Sequence, residues 1–182
     1  MKRRRVPSVV VRALMLGALL VGGVLALIAW ARWPLTPLPA GTTADRILVR
    51  KSERVLELYR GDILLRSYPV SLGWEPVGAK REEGDGRTPE GRYIIDSRNP
   101  GSGFHLALHV SYPRPEEEAA ARARGSSAGG LIMIHGLPNG YGFLGRLHLV
   151  RDWTLGCVAV TDPEIEEIWR VVPNGTPVEF QP

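Results

Sequence analysis

The run from Ala13 to Ala31 contains no charged side chain and no polar face. A helix over it is apolar all round, and a soluble domain of this size has no place to bury such a surface. At about 1.5 Å per residue it just spans a hydrocarbon core of roughly 30 Å. Lys2, Arg3, Arg4 and Arg5 precede it. The positive-inside rule therefore keeps the N-terminus in the cytoplasm and sends the remainder outward. Trp30 and Trp33 stand where an interfacial aromatic belt lies. The triplet Ala29 to Ala31 is also the small-x-small pattern of a cleaved signal peptide, so anchor and removed signal both stay open. Both predict a periplasmic or extracytoplasmic domain. Residues 1–33 are read as the signal anchor or signal peptide, 34–44 as a Pro-rich linker, and 45–182 as one folded domain.

The net charge of +4 belongs to that N-terminal segment. Its six basic residues set aside, 17 Lys and Arg face 19 Asp and Glu. No basic stripe interleaved with aromatics remains to mark a nucleic-acid partner. The single cysteine excludes an intramolecular disulfide and any cysteine-cluster metal site. With 21 Gly and 15 Pro the chain is cut into short segments, which favours strands over long helices.

The pattern predicts strands at 47–50, 55–59, 63–72, 93–96, 104–113, 131–135, 158–160 and in the closing "TPVEF". It predicts helices at "RPEEEAAARARG" and from Thr161 or Asp162 through "EIEEIW". Each has Pro early and acid in the first turn, and the first also has Arg late and Gly125 as a stop. The fold class expected is mainly β: a β-sandwich-like mixed sheet with two short helices, in addition to the N-terminal one.

Cys157 ends "RDWTLGC". An unpaired cysteine is uncommon outside the cytoplasm, because exposed thiols oxidise there, so an idle one is a liability. Gly156 before it lets a ligand approach the backbone without a Cβ in the way. A cysteine nucleophile needs a base, because only the thiolate attacks. The chain has four histidines. His105 and His109 lie four apart in one strand-like run and read as surface or packing residues, with no third metal ligand in view. His148 sits between the two motifs. His135 ends the apolar run "LIMIH" beside Gly136, held on a rigid element, and is the candidate base. The reading requires its ring to lie within a hydrogen bond of the Cys157 sulfur.

"IMIHGLPNG", followed about twenty residues later by "DWTLGCVAV", resembles the L,D-transpeptidase catalytic domain, the YkuD-like family. Its signature is His-Gly, a spacer, then Ser/Thr-x-Gly-Cys and a β-branched residue. "SLG", "GDGRTPEGRY" and "GTPVEF" resemble flanking blocks of the same family, so the likeness runs from Arg46 to Phe180. "TDPEIEEIW" is closer still to its YafK-like murein subgroup. Leu155 stands where most members carry His, and Ala159 where most carry Arg.

The resemblance implies that Cys157 is the nucleophile and His135 the general base and acid. A backbone carbonyl near Gly136 would orient His135. The Gly156 and Cys157 N–H groups would face an oxyanion. Thr154, Trp153, Arg151, Asp152 and His148 would shape or line the substrate side. The substrate class implied is peptidoglycan stem peptides, with no cofactor and no metal. A wall-attached lipoprotein is a second possible partner. Three functions follow: L,D-transpeptidation, hydrolysis of a diaminopimelate-linked amide by the same pair, or wall binding without turnover.

Overall fold

A computed structural model describes residues 8–32 and 35–182. The basic cluster Lys2 to Arg5, Trp33 and Pro34 lie outside the described residues. The chain divides into two compact units, residues 1–34 and 35–182. In the first, α1 spans Ser8–Ala31, and its stretch Leu14–Ala31 is long and apolar enough to cross a membrane.

The second unit contains β1 (Arg46–Arg50), β2 (Val55–Arg60), β3 (Ile63–Pro69), β4 (Gly91–Asn99), β5 (Ala107–Val110) and α2 (Pro115–Ala123). There follow β6 (Met133–His135), a 3-10 segment (Gly142–Val150), β7 (Val158–Ala159), α3 (Asp162–Val171) and β8 (Pro177–Gln181). The strands form one eight-stranded sheet in the order β3-β2-β1-β8-β4-β5-β6-β7. It is mixed: β1 runs parallel to β8 and β6 parallel to β7, and the other pairs are antiparallel.

The two ends of this order meet. Beyond β3, Ser71 N–H donates to Ala159 O (3.0 Å) and Ala159 N–H donates to Ser71 O (2.8 Å). The sheet therefore curls back on itself, and its two halves face each other across a common core. Ile47, Leu56, Leu58, Ile95, Leu108, Ile134, Val158 and Phe180 fill that core and are almost wholly buried. Each such side chain contributes about 1.5–3 kcal/mol of transfer free energy. Ile165, Ile168 and Val171 complete it from α3, at the helical spacing that puts them on one face. The Thr161 N–H donates to Glu164 Oε2 (2.9 Å), which satisfies an otherwise orphaned donor at the start of α3.

Three expectations differ in detail. The third strand ends at Pro69 rather than Leu72, because proline has no N–H with which to continue the ladder. The run 104–113 is extended only over Ala107–Val110. His105 has a φ of 64°, which breaks the alternation, so His105 and His109 do not share a strand face. The 3-10 segment has no apolar period to announce it, and Gly145 interrupts it at a φ of 48°.

The segment read as a linker is held along its length. Leu38 N–H donates to Glu167 Oε1 (2.5 Å), Arg66 reaches Thr36 O (2.8 Å), and Ala44 is buried. Glu167 is itself buried and accepts from the Tyr68 hydroxyl (2.7 Å). Burial and that carboxylate push the Tyr68 pKa up, which keeps its proton on the donor side.

Candidate active site

The site is set by the register of β6 and β7. Ile134 lies opposite Val158 and His135 opposite Ala159. Successive side chains alternate across a sheet. Ile134 and Val158 enter the core, so Met133, His135 and Cys157 share the other face. Cys157 is level with Met133, two residues short of His135. Diagonal neighbours on one face are about 7–8 Å apart at the backbone, within reach of long side chains.

Both groups line one cavity of about 630 Å³. Its lining comes from four segments, within residues 80–84, 102–107, 129–135 and 153–157. The Cys157 sulfur bonds to main chain of the segment that carries His135. Met133 N–H donates to Sγ (3.4 Å), and the thiol donates to Leu131 O (3.5 Å). The expected direct bond to the imidazole is not among the hydrogen bonds Sγ makes, because the register offsets the two side chains.

His135 is 4% exposed, and its ring is fixed on two sides. Nδ1–H donates to Gly136 O (2.7 Å), the carbonyl anticipated as its partner. A carbonyl only accepts, so the proton sits on Nδ1 and Nε2 keeps its lone pair. Phe104 packs 4.6 Å from the ring centroid and Trp153 packs edge-on at 5.9 Å. Gly136 is itself confined. A Cβ there would come 2.8 Å from Asp162 Oδ1 and 3.0 Å from Ile165. Phe104, expected at the start of a strand, lies in the loop before β5, and nothing in its local pattern marks it as a neighbour of His135.

The turn that carries Cys157 is built by Thr154. Its hydroxyl donates to Cys157 O (2.8 Å) and accepts from Gly156 N–H (3.1 Å). The Gly156 N–H is thus engaged by Thr154 rather than turned toward the cavity. Gly156 has a φ of 126°, and a Cβ would stand 2.6 Å from Arg87 O. This position therefore requires glycine.

The remaining candidates scatter. Trp153, Thr154 and Leu155 line the cavity, whereas Arg151 and Asp152 do not. Asp152 accepts from Leu72 N–H (2.9 Å) and pairs with Arg54 (3.0 Å), a structural tie. His148 is buried behind Trp153, with ring centroids 6.5 Å apart. His105 and His109 pair with Glu166 and Asp96 instead. Among the described residues, no three His, Cys, Asp or Glu side chains gather in a way that could hold a metal.

Burial sets the protonation states. It pushes the Cys157 thiol above its ordinary value, against the Met133 N–H and the Lys80 charge, which pull it down. Burial pushes His135 below its ordinary value, against the Gly136 bond. The resting pair is therefore neutral thiol and neutral imidazole. His148 is pushed down to about 4 by burial, with His135 as a second cause. Its stability contribution has a definite sign. The unfolded chain binds a proton at pH 5 that folded His148 refuses, so stability is present above about 6.5 and is lost as pH falls toward about 4. Urea melts at pH 7 and pH 5 should differ by about 2 kcal/mol from this residue. His148→Gln should flatten that difference.

Over residues 44–180 the chain matches the L,D-transpeptidase catalytic domain, YkuD. It belongs to this family. Proteins similar to it include YafK of Escherichia coli strain K12, 32% identical over 142 residues, which are 75% of this chain and 50% of that protein. YkuD of Bacillus licheniformis is 25% identical over 146 residues, 78% of this chain and 68% of that protein. The chain thus spans about half the length of YafK. The crystal structure of the helical cell shape determining protein Pgp2 from Campylobacter jejuni superposes with a TM-score of 0.57 at 23% identity. That match covers 85% of this chain and 54% of Pgp2. At that identity the likeness supports the mixed, curled sheet of this L,D-transpeptidase domain and nothing finer.

Proposed function

We propose that this L,D-transpeptidase domain acts on peptidoglycan stem peptides through a thioester on Cys157, with His135 as base and then acid. The observation that carries the reading is the shared cavity. A thiol in the turn that leads into β7 and an imidazole at the end of the adjacent parallel β6 line the same space, and the imidazole has Nδ1 tied off and Nε2 bare.

Sγ attacks the carbonyl of the third stem residue, and its proton passes to His135 Nε2. Burial disfavours the charged form of both groups, so the thiolate depends on His135 to take its proton. The C–N bond then breaks, and Nε2–H protonates the departing amine of D-alanine. An acceptor amine attacks the thioester, His135 takes its proton, and Sγ leaves and recovers one. The Cys157 N–H stabilises the oxyanion, a contribution of about 3 kcal/mol per donor. Gly156 N–H joins it only by leaving Thr154. The α1 helix holds the domain at the outer face of the cytoplasmic membrane, where the wall lies.

The test is a diaminopimelate-containing tetrapeptide incubated with the purified protein, with and without an acceptor amine, and followed by mass spectrometry. Release of D-alanine coupled to a new amide with the amine is the expected result. Release without the amine replaces the transferase by the hydrolase. Neither release nor a thioester adduct leaves wall binding alone and overturns the proposal.

A further inference from the structure

Lys80 faces the same cavity as Cys157 and His135, from the opposite loop. Its side chain is only 3% exposed. Nζ donates to Glu82 O (3.0 Å) and to Asp85 Oδ1 (2.8 Å). An ammonium has three donors, and only two of them find acceptors among the described residues, so one N–H is left unpaired. Asp85 holds this cation in place but does not cancel it. The carboxylate also accepts from the main-chain N–H groups of Arg81 (2.7 Å), Glu82 (3.1 Å) and Arg87 (3.0 Å). Its negative charge is therefore shared among four donors, and the loop that carries Lys80 is knotted around it. With His135 neutral, Lys80 is the one cation among the cavity-lining residues. Glu83, the other charged side chain on this wall, is exposed and its field is screened by water.

We infer that Lys80 receives a carboxylate of the bound substrate and so selects donors that carry one within reach of the thiol. The inference rests on the proposed stem-peptide reading and deepens it. Such a peptide offers two carboxylates close to the attacked bond: the terminal one of the leaving residue and the side-chain one of diaminopimelate. A carboxylate at Lys80 completes the hydrogen bonding of a buried ammonium and gains from the low dielectric around it. The field of Lys80 already reaches the sulfur, where it acts against burial.

The sole cysteine makes a probe that needs no turnover. Alkylation rates of Cys157 with iodoacetate, an anion, and iodoacetamide, its neutral analogue, are measured side by side. Their ratio cancels any change in thiol pKa. The ratio should fall about five- to ten-fold in Lys80→Gln and return in Lys80→Arg. Thermal melts check that both variants fold. A ratio preserved in Lys80→Gln overturns the inference. Donor peptides then identify the source: a C-terminal carboxamide removes the first carboxylate, and lysine in place of diaminopimelate removes the second. Wild-type protein that processes both altered peptides at the full rate also overturns it. A ratio that falls in a protein that turns over no stem peptide leaves the Lys80 anion site standing and sinks the proposed function instead.

Discussion

Cys157→Ala should abolish covalent capture of a carbapenem, and His135→Ala should slow it by about 10²- to 10⁴-fold at neutral pH. Intact-mass spectrometry reads both. Removing the sulfur removes the only group that can hold the acyl adduct. Removing the imidazole leaves a thiol whose burial disfavours the thiolate, with Leu131 O rather than a base as its hydrogen-bond acceptor. The pH dependence carries the sign. In wild type the rate should hold below pH 6.5 and fall only where the depressed imidazole finally takes a proton. In His135→Ala the rate should climb about tenfold per pH unit toward a thiol pKa above the ordinary 9.0, so the gap to wild type closes as pH rises. Undiminished capture by His135→Ala at pH 7 would remove His135 from the mechanism.

Gly156→Ala should cost about 3 kcal/mol of stability and most of the acylation rate. Two penalties coincide at this residue. Its φ of 126° lies where only glycine rests without strain, and the added Cβ meets the fixed Arg87 carbonyl at 2.6 Å. The turn can relieve the clash only by moving Cys157, whose carbonyl and preceding N–H are bound through Thr154. Gly140→Ala is the control. It also has a positive φ, of 87°, but nothing lies within 4 Å of its Cβ, so the backbone strain of about 1–2 kcal/mol acts there alone. Equal losses in the two variants, by thermal melt and by carbapenem capture, would mean that the close approach to Arg87 is irrelevant.

Much of the site was legible in local chemistry. The solitary thiol after glycine and the histidine closing "LIMIH" stood out as candidates, because nucleophile and base residue types are few. The starts of α2 and α3 were legible for the same reason: Pro and acid act within the first turn. The readings that failed were those that depend on neighbours remote in sequence. Asp152 lies five residues from Cys157, yet it serves Leu72 and Arg54. Phe104, expected at the start of a strand, lies 53 residues away, yet stands in the cavity wall. Gly156 kept its required glycine, but its N–H went to a hydroxyl two residues back.

Sequence alone determined the apolar N-terminal helix, the alternation of short strands and the pair Cys157 and His135, since each follows from side-chain type and spacing within a few residues. Tertiary structure alone decided which side chains surround that pair. The curl that joins Ser71 to Ala159 and the parallel register of β6 on β7 are long-range pairings. A shift of one residue in such a ladder turns every side chain to the other face. The same residues would then present Ile134 and Val158 to the cavity and bury the sulfur in the core.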